Sequence, residues 1–435
     1  MGPMQRARRV GSSAAKSRAA RRGWDGGLFA LTALTALAAG CGNSAPIRDE
    51  GSSMPEGSGS AAPPPAPTNS SVPAAGAPTP STPSSTEGET GELPLTGPLD
   101  AATDPATEPA TSAPPATAGA IEIDGRQVLV GGVPLFLRGV CWNPVPRGAQ
   151  HPEGLDFAGF AEQDSVELAA LGVNVVRTYE PLLDRGVLDR LAAAGIRVIN
   201  SVYPWGGAPA SVVVERVRAV QDHPAILMWA IGNEWNYNGL YVGLSQAEAL
   251  ARLNEVAGLI KAQDRTHPIA TIYGELPDAA TLAAMPDVDV WGINAYRGIS
   301  FGDLFERWRA LSSRPMFLSE YGADAYNAAL PGYDAQSQAL AVEALATEIQ
   351  SQSSATTAEG VALGGTVFEW ADEWWKDAAG SLTEQEVGGV APGGGPYPDG
   401  VFNEEWWGIV DIDRGHRPAF DALQRVFSGA AAPPP

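Results

Sequence analysis

The 435 residues carry 50 acidic side chains against 28 basic ones, a formal charge of −22 at pH 7. That balance argues against nucleic acid as a partner and suits a neutral substrate. Two cysteines, Cys41 and Cys141, are too few for a disulfide framework, and His151, His223, His267 and His416 lack metal-ligand spacing, so no metal or cofactor is expected.

Residues 1–27 are basic, with Arg6, Arg8, Arg9, Lys16, Arg18, Arg21 and Arg22. An apolar run over 28–40 follows, about 20 Å long as a helix and too short for a ~30 Å hydrocarbon core. Basic region, apolar region and small residues together predict an export signal over 1–40. Leu37-Ala38-Ala39-Gly40-Cys41 resembles a bacterial lipobox, which implies lipidation of Cys41 and attachment to a membrane at the cell envelope. Ordinary secretion is the alternative. Removing residues 1–40 takes away seven basic residues and one acidic one, so the formal charge falls from −22 to −28.

Residues 41–120 are dominated by Pro, Ala, Ser, Thr and Gly. With almost no large apolar residues, such a segment cannot offset the entropy of ordering, and it reads as a disordered tether. Ordered structure is expected over 121–428, followed by a disordered tail at 429–435.

The ordered part opens at 121–130 with two short strand patterns around Asp124-Gly125, a hairpin signal. Eight strand-like apolar runs follow, at 135–140, 173–179, 197–203, 226–234, 269–273, 288–296, 316–321 and 365–370. Helical patterns alternate with them, as at 182–194, where Gly195 supplies a stop signal, at 335–350, and at 418–427. Eight alternations over about 300 residues predict a (β/α)8 barrel, with the hairpin capping one end. No Gly-rich phosphate loop follows the first strand, which disfavours a doubly wound sheet.

In such barrels the chemistry sits at the C-terminal ends of the strands. Those ends carry Trp142 and Asn143, Arg177, Trp205, Asn233-Glu234-Trp235, Tyr296, Glu320 and Trp370. Glu234 follows an apolar run abruptly, and a carboxylate there is costly to bury without a task. Two carboxylates, an arginine, amides and several aromatic rings at one rim compose a sugar site. Aromatic faces stack on pyranose rings, while amides and carboxylates bind hydroxyls. Asp372, Glu373, Glu404 and Glu405 read as loop surface near the same rim.

Segments 223–234, 172–178 and 315–322 resemble glycoside hydrolase family 2, within the larger group of retaining barrel glycosidases that includes family 5. The resemblance implies double displacement at a β-glycosidic bond, with Glu320 as nucleophile and Glu234 as acid/base. It further implies that Asn233 binds the sugar 2-hydroxyl, Arg177 pairs with Glu320, Tyr296 orients Glu320, and Trp370 floors the subsite. Trp142, Asn143 and Trp235 are expected to touch substrate. Segments 364–370 and 403–410 resemble β-1,3-glucanosyltransferases, which implies that a sugar could replace water as acceptor. Trp142, Trp205, Trp235, Trp406 and Trp407 are the corresponding acceptor platforms.

The expected function is therefore a monomeric retaining β-glycosidase acting on a β-linked glucan or related polysaccharide, with glucanosyl transfer as its alternative. A retired barrel that binds polysaccharide without cleaving it is the alternative from another class.

Overall fold

The computed structural model describes residues 119–376, 380–387, 389–390 and 396–429. The expected export signal, Cys41, nearly all of the tether and residues 430–435 of the tail lie outside the described residues. No helix among the described residues is long and apolar enough to cross a membrane.

The chain enters through a small antiparallel sheet of β1 (Ile121–Asp124), β2 (Gln127–Val130) and β3 (Val133–Pro134). Eight parallel strands then close on themselves. They are β4 (Leu137–Cys141), β5 (Val175–Arg177), β6 (Arg197–Tyr203), β7 (Ile226–Ile231), β8 (Ile269–Gly274), β9 (Val290–Asn294), β10 (Met316–Tyr321) and β13 (Ala362–Val367). The pairing of β13 with β4 completes the (β/α)8 barrel. A short hairpin of β11 (Tyr326–Asn327) and β12 (Gly332–Tyr333) decorates the loop after β10.

The outer layer consists of α1 (Phe157–Leu171), α2 (Arg185–Ala193), α3 (Val212–Val220), α5 (Gln246–Gln263), α6 (Ala279–Ala284), α7 (Leu304–Leu311), α8 (Ala335–Ser351) and α9 (Pro418–Ser428). One further turn, α4 (Trp235–Asn238), follows β7 directly. Local chemistry sets these boundaries. Asp156, Asp184, Asp278 and Asp334 accept backbone N–H groups at their helix starts, and Ser245 with Glu248 forms a capping box. Gly172 and Gly429, both left-handed, end α1 and α9.

All eight predicted strands are present, and their limits shift for physical reasons. The run at 226–234 stops at Ile231 because Gly232 and Glu234 turn the chain into the left-handed region. The run at 365–370 begins earlier, at Ala362, because small residues hid its start, and it ends at Val367.

The barrel interior is packed by Leu137, Val175, Ile199, Leu227, Phe317 and Leu363, with Val128 of the hairpin joined to them. These residues sit at or near the N-terminal ends of their strands, so β1–β3 plug that end and the opposite mouth stays free for chemistry. A second, larger core lies between strands and helices.

Closure also uses a buried ion pair. Asp164 of α1 accepts from Arg414 at 3.0 and 3.2 Å and from Trp142 Nε1 at 2.8 Å. Trp142 is fully buried against Phe157. Removing one partner of a buried pair strands the other charge, at a cost of roughly 3–5 kcal/mol. Asp164→Ala should lower the unfolding free energy of the full chain by about that amount in urea denaturation. A loss under ~1 kcal/mol would mean that water replaces the carboxylate and that the pair does not brace the barrel.

Candidate active site

The strand β7 delivers Glu234 to the mouth. Its six residues are all buried, and Gly232, at φ +69°, then turns the chain. A Cβ on Gly232 would stand 2.8 Å from the Trp235 ring, so glycine is required there for space as well as for conformation. Glu234 itself sits at φ +46°, unusual for a residue with a side chain. Its N–H donates to the Ile272 carbonyl at 3.1 Å, and its carbonyl accepts from Tyr237 and Asn238. The side chain is half-buried, and Oε1 accepts from Asn294 Nδ2 at 3.1 Å.

Glu320, near the end of β10, is buried and receives three donors. Its Oε1 accepts from Arg177 at 2.7 Å and from the Tyr179 hydroxyl at 2.8 Å. Its Oε2 accepts from the Tyr296 hydroxyl at 2.9 Å. Arg177 has no solvent exposure and also donates to the Ser319 carbonyl at 2.9 Å and to Asn233 Oδ1 at 2.7 Å. Burial opposes its charge, but Tyr179 and Glu320 outweigh burial and hold the guanidinium protonated. Because Arg177 can only donate, it fixes the Asn233 amide with Oδ1 inward and Nδ2 toward the Tyr241 hydroxyl, 3.0 Å away. The Ser319 hydroxyl donates to Asn294 Oδ1 at 2.6 Å.

The two carboxylates are thus held by different surroundings. Burial, and then the charge of Glu320, push Glu234 up to about 7, against the pull of Asn294 and Arg177. An acid that keeps its proton near neutrality, beside a second carboxylate held by three donors, suits acid-assisted displacement at a sugar.

Of the residues expected at the site, Glu234, Glu320, Asn233, Arg177 and Tyr296 share this network. Others lie elsewhere. Trp142 belongs to the core, as described. Trp235 is fully buried, with its Nε1 on Thr271 at 3.0 Å and its ring on Tyr273. Trp370 is buried in the strand–helix core with its ring near Phe420 of α9, so it does not floor a subsite. The aromatic ring at the end of β13 that meets the network is Phe368, edge-on to Tyr179 and Tyr296. Asn143 donates to Glu373, a step removed from either carboxylate.

Trp407 is buried beneath Tyr296 and Phe368, and Trp406 is pinned through Nε1 to the Glu386 carbonyl at 2.8 Å. Trp205 is exposed. Asp372, Glu373 and Glu405 are buried rather than loop surface. Asp372 is held by Arg417, and Glu373 by Lys376. Sequence reasoning assigned no role to Tyr179, Asn294 or Phe368. Tyr179 and Asn294 stood in the right places, at the ends of strands 2 and 6, and only their hydrogen bonds distinguish them from packing.

Comparison with known proteins gives a consistent fold. The model of the glycosyl hydrolases family 2 TIM barrel domain matches residues 192–344, a segment that contains both Glu234 and Glu320. The chain is similar to β-glucuronidase of Sus scrofa, 26% identical over 228 residues, covering 47% of this chain and 33% of that protein. It is 28% identical over 229 residues to the β-glucuronidase of Rattus norvegicus, covering 47% of this chain and 34% of that one. The matched region thus spans about a third of the length of these curated relatives. Among solved structures, the β-D-glucuronidase of Dictyoglomus thermophilum superposes with a TM-score of 0.51 at 18% identity, covering 72% of this chain and 54% of that one. The β-glucuronidase of Bacteroides uniformis gives 0.52 at 18%, covering 71% and 37%. At these identities the structures speak for the barrel alone. The segments likened above to glucanosyltransferases lie beyond residue 344, outside the family match.

The electrostatic arrangement makes a signed prediction. Glu320→Gln removes the neighbouring charge and should move the Glu234 pKa down from about 7, while Asn294→Ala removes a donor to the ionised form and should move it up. Carbon-13 NMR titration of labelled glutamate δ-carbons reads both, and shifts in the opposite directions would break the assignment of these neighbours.

Proposed function

We propose that this chain is a retaining β-glycosidase that cleaves a β-linked glucan or related polysaccharide by double displacement. The observation that carries the reading is the contrast between the carboxylates. Glu320 is surrounded by three donors, and Glu234 has burial and a single amide.

In the first step Oε2 of Glu320, held by one donor where Oε1 has two, attacks the anomeric carbon. The bond to the leaving oxygen breaks, and that oxygen takes the proton of Glu234. In the second step Glu234 takes a proton from water, the water oxygen bonds to the anomeric carbon, and the Glu320 ester bond breaks. Asn233 Nδ2, turned outward by Arg177, is the donor suited to the sugar 2-hydroxyl. Loss of the Glu234 proton as pH rises through about 7 sets the alkaline limit of the first step.

Two points bear on the sugar. The curated relatives are β-glucuronidases, which favours a uronide as the second reading. A uronide needs a cation for its carboxylate. Three cations that stand at or beyond the strand ends are already paired, Arg177 with Glu320, Lys376 with Glu373 and Glu404, and Arg297 with Glu275 and Asp303. That pairing favours a neutral sugar. Transfer to a sugar acceptor follows the same two steps with a hydroxyl in place of water, and it remains the alternative within this reading.

A panel of aryl β-glucosides and β-glucuronides, together with β-glucans, tests the proposal. Turnover of at least one is expected, with a faster rate on the glucosides. Glu320→Gly should abolish it, and azide should restore it with inverted product. Glu234→Ala should spare aryl substrates with good leaving groups, and azide should then give retained product. Saccharide binding without turnover on the whole panel would move the reading to the non-catalytic binder.

We further propose that the chain is exported and anchored through lipidated Cys41, a reading supported by the sequence alone. Cys41→Ser should shift the protein from the membrane fraction to the soluble one on cell fractionation. An unchanged distribution would leave Cys41 a bystander.

A further inference from the structure

We infer that Trp205, Tyr237 and Tyr241 form the platform that holds the leaving group, and the incoming sugar acceptor, on the Glu234 side of the cleft. This rests on reading Glu234 as the acid/base.

The rings are out of character with the rest of the molecule. Seven tryptophans, Trp142, Trp229, Trp235, Trp291, Trp308, Trp370 and Trp407, are fully buried. Trp205, Tyr237 and Tyr241 are 40%, 54% and 55% exposed. They account for three of the four exposed aromatic side chains among the described residues, the other being Tyr333. Large apolar faces left in water and gathered at one place mark an interaction site.

Each ring is tied to the segment that carries Glu234. The Tyr241 hydroxyl accepts from Asn233 Nδ2, so that ring stands beside the residue preceding the acid/base. Tyr237, three residues after Glu234, lies against Gly274 at the end of β8. A Cβ on Gly274 would come 2.1 Å from the ring, and Asn236 clamps both the N–H and the carbonyl of that glycine at 2.9 Å. Trp205 follows β6 on the opposite flank, and the adjacent Gly206 N–H bonds to the Leu240 carbonyl at 2.9 Å. Among the described residues, three of the five non-glycine residues with positive φ, Glu234, Leu240 and Tyr241, lie on this one loop, and Glu275 follows β8 beside Tyr237. Backbone held in a sparsely populated region persists where the surroundings over-determine it. Here it displays Tyr241 outward.

The chemistry names the occupant. Proton transfer requires the glycosidic oxygen within ~3 Å of Glu234. The group attached to that oxygen therefore falls on the residues flanking Glu234. The opposite side is closed by Arg177, Tyr179, Tyr296 and Phe368, which serve Glu320 or pack on the residues that do. A β-linked sugar offers apolar C–H faces for the rings and hydroxyls for the rim, and the same surface receives an acceptor sugar. In transfer, the acceptor hydroxyl gives its proton to Glu234 as its oxygen bonds to the anomeric carbon and the bond to Glu320 breaks.

The test separates leaving groups. The Trp205→Ala/Tyr237→Ala double variant of the full chain is compared with wild type on β-glucosyl and β-glucuronyl fluorides, whose leaving group needs no platform. The same pair is then compared on laminaritetraose and on a β-glucuronyl disaccharide. The expected result is a tenfold or greater loss of kcat/KM on the oligosaccharide that wild type accepts, with less than a twofold change on the matching fluoride. Equal losses on both substrates with an unchanged melting temperature, or no loss on either, would overturn the platform. Failure of wild type on every fluoride would instead overturn the reading of Glu234 and Glu320, and the platform with it.

Discussion

A guanidinium without access to water organises the mouth of this barrel. Burying an ion costs several kcal/mol unless its partners are well placed, and Arg177 resolves that cost through groups from three strands or strand ends. It reaches Tyr179 just past its own β5, Asn233 after β7, and the Ser319 carbonyl and Glu320 carboxylate on β10. Opposite sides of the barrel are drawn to one point, so the position of Glu320 follows from a demand that is first structural. The chemistry inherits a carboxylate held in place by three donors. Removing Arg177 would therefore disturb the barrel as well as the site, whereas exchanging Tyr179 or Tyr296 touches the carboxylate more selectively.

Burial and the charge of Glu320 raise the Glu234 pKa, and few donors oppose them. Glu234 stands near the same guanidinium, yet Arg177 directs its donors to Glu320, Ser319 and Asn233. What remains for Glu234 is one amide hydrogen bond from Asn294, whose Oδ1 in turn accepts from the Ser319 hydroxyl. Ser319 and Glu320 are consecutive residues of β10. The strand that presents one carboxylate thus also contacts the amide that bonds the other.

The barrel was legible because its strands announce themselves. Buried parallel strands read as short apolar runs, and eight of them with helical patterns between leave few alternatives. Glu234 drew attention because a carboxylate directly after such a run has little structural excuse, and Glu320 because it stands at the end of the seventh run in a segment that resembles family 2. Arg177 and Tyr296 followed from the same rule about strand ends. The aromatic residues were not legible. Trp142, Trp235 and Trp370 stand at strand ends as surely as Tyr296 does, yet they pack into the core, and Trp142 serves to hold Asp164. Trp370 was misplaced because β13 starts at Ala362 and stops at Val367, so alternation along the strand does not extend to it. Phe368 meets the network instead. A tryptophan carries no local mark of which way it will face, since burial of a large ring stabilises a core as readily as it binds a sugar.

The division of the cleft follows from what each side must do. Around Glu320 the contacts are short, charged and buried, and they cannot rearrange without exposing Arg177. That suits the glycone, whose anomeric carbon must be met at one fixed geometry in both displacements. Around Glu234 the side chains are aromatic and half in water, with the Tyr237 ring against Gly274 and the Tyr241 hydroxyl on Asn233. Stacking on such rings has little directional preference and leaves hydroxyls free to exchange water, so a leaving group can depart after the first displacement and another molecule can take its place before the second. Fixed polar contacts there would slow that exchange. A bound hydroxyl oriented on the rings competes with water through effective concentration, which can exceed that of the bulk solvent by orders of magnitude. On the reading proposed above, the aromatic flank would decide the balance between hydrolysis and transfer, while the two carboxylates would perform the same proton and bond exchanges in either case.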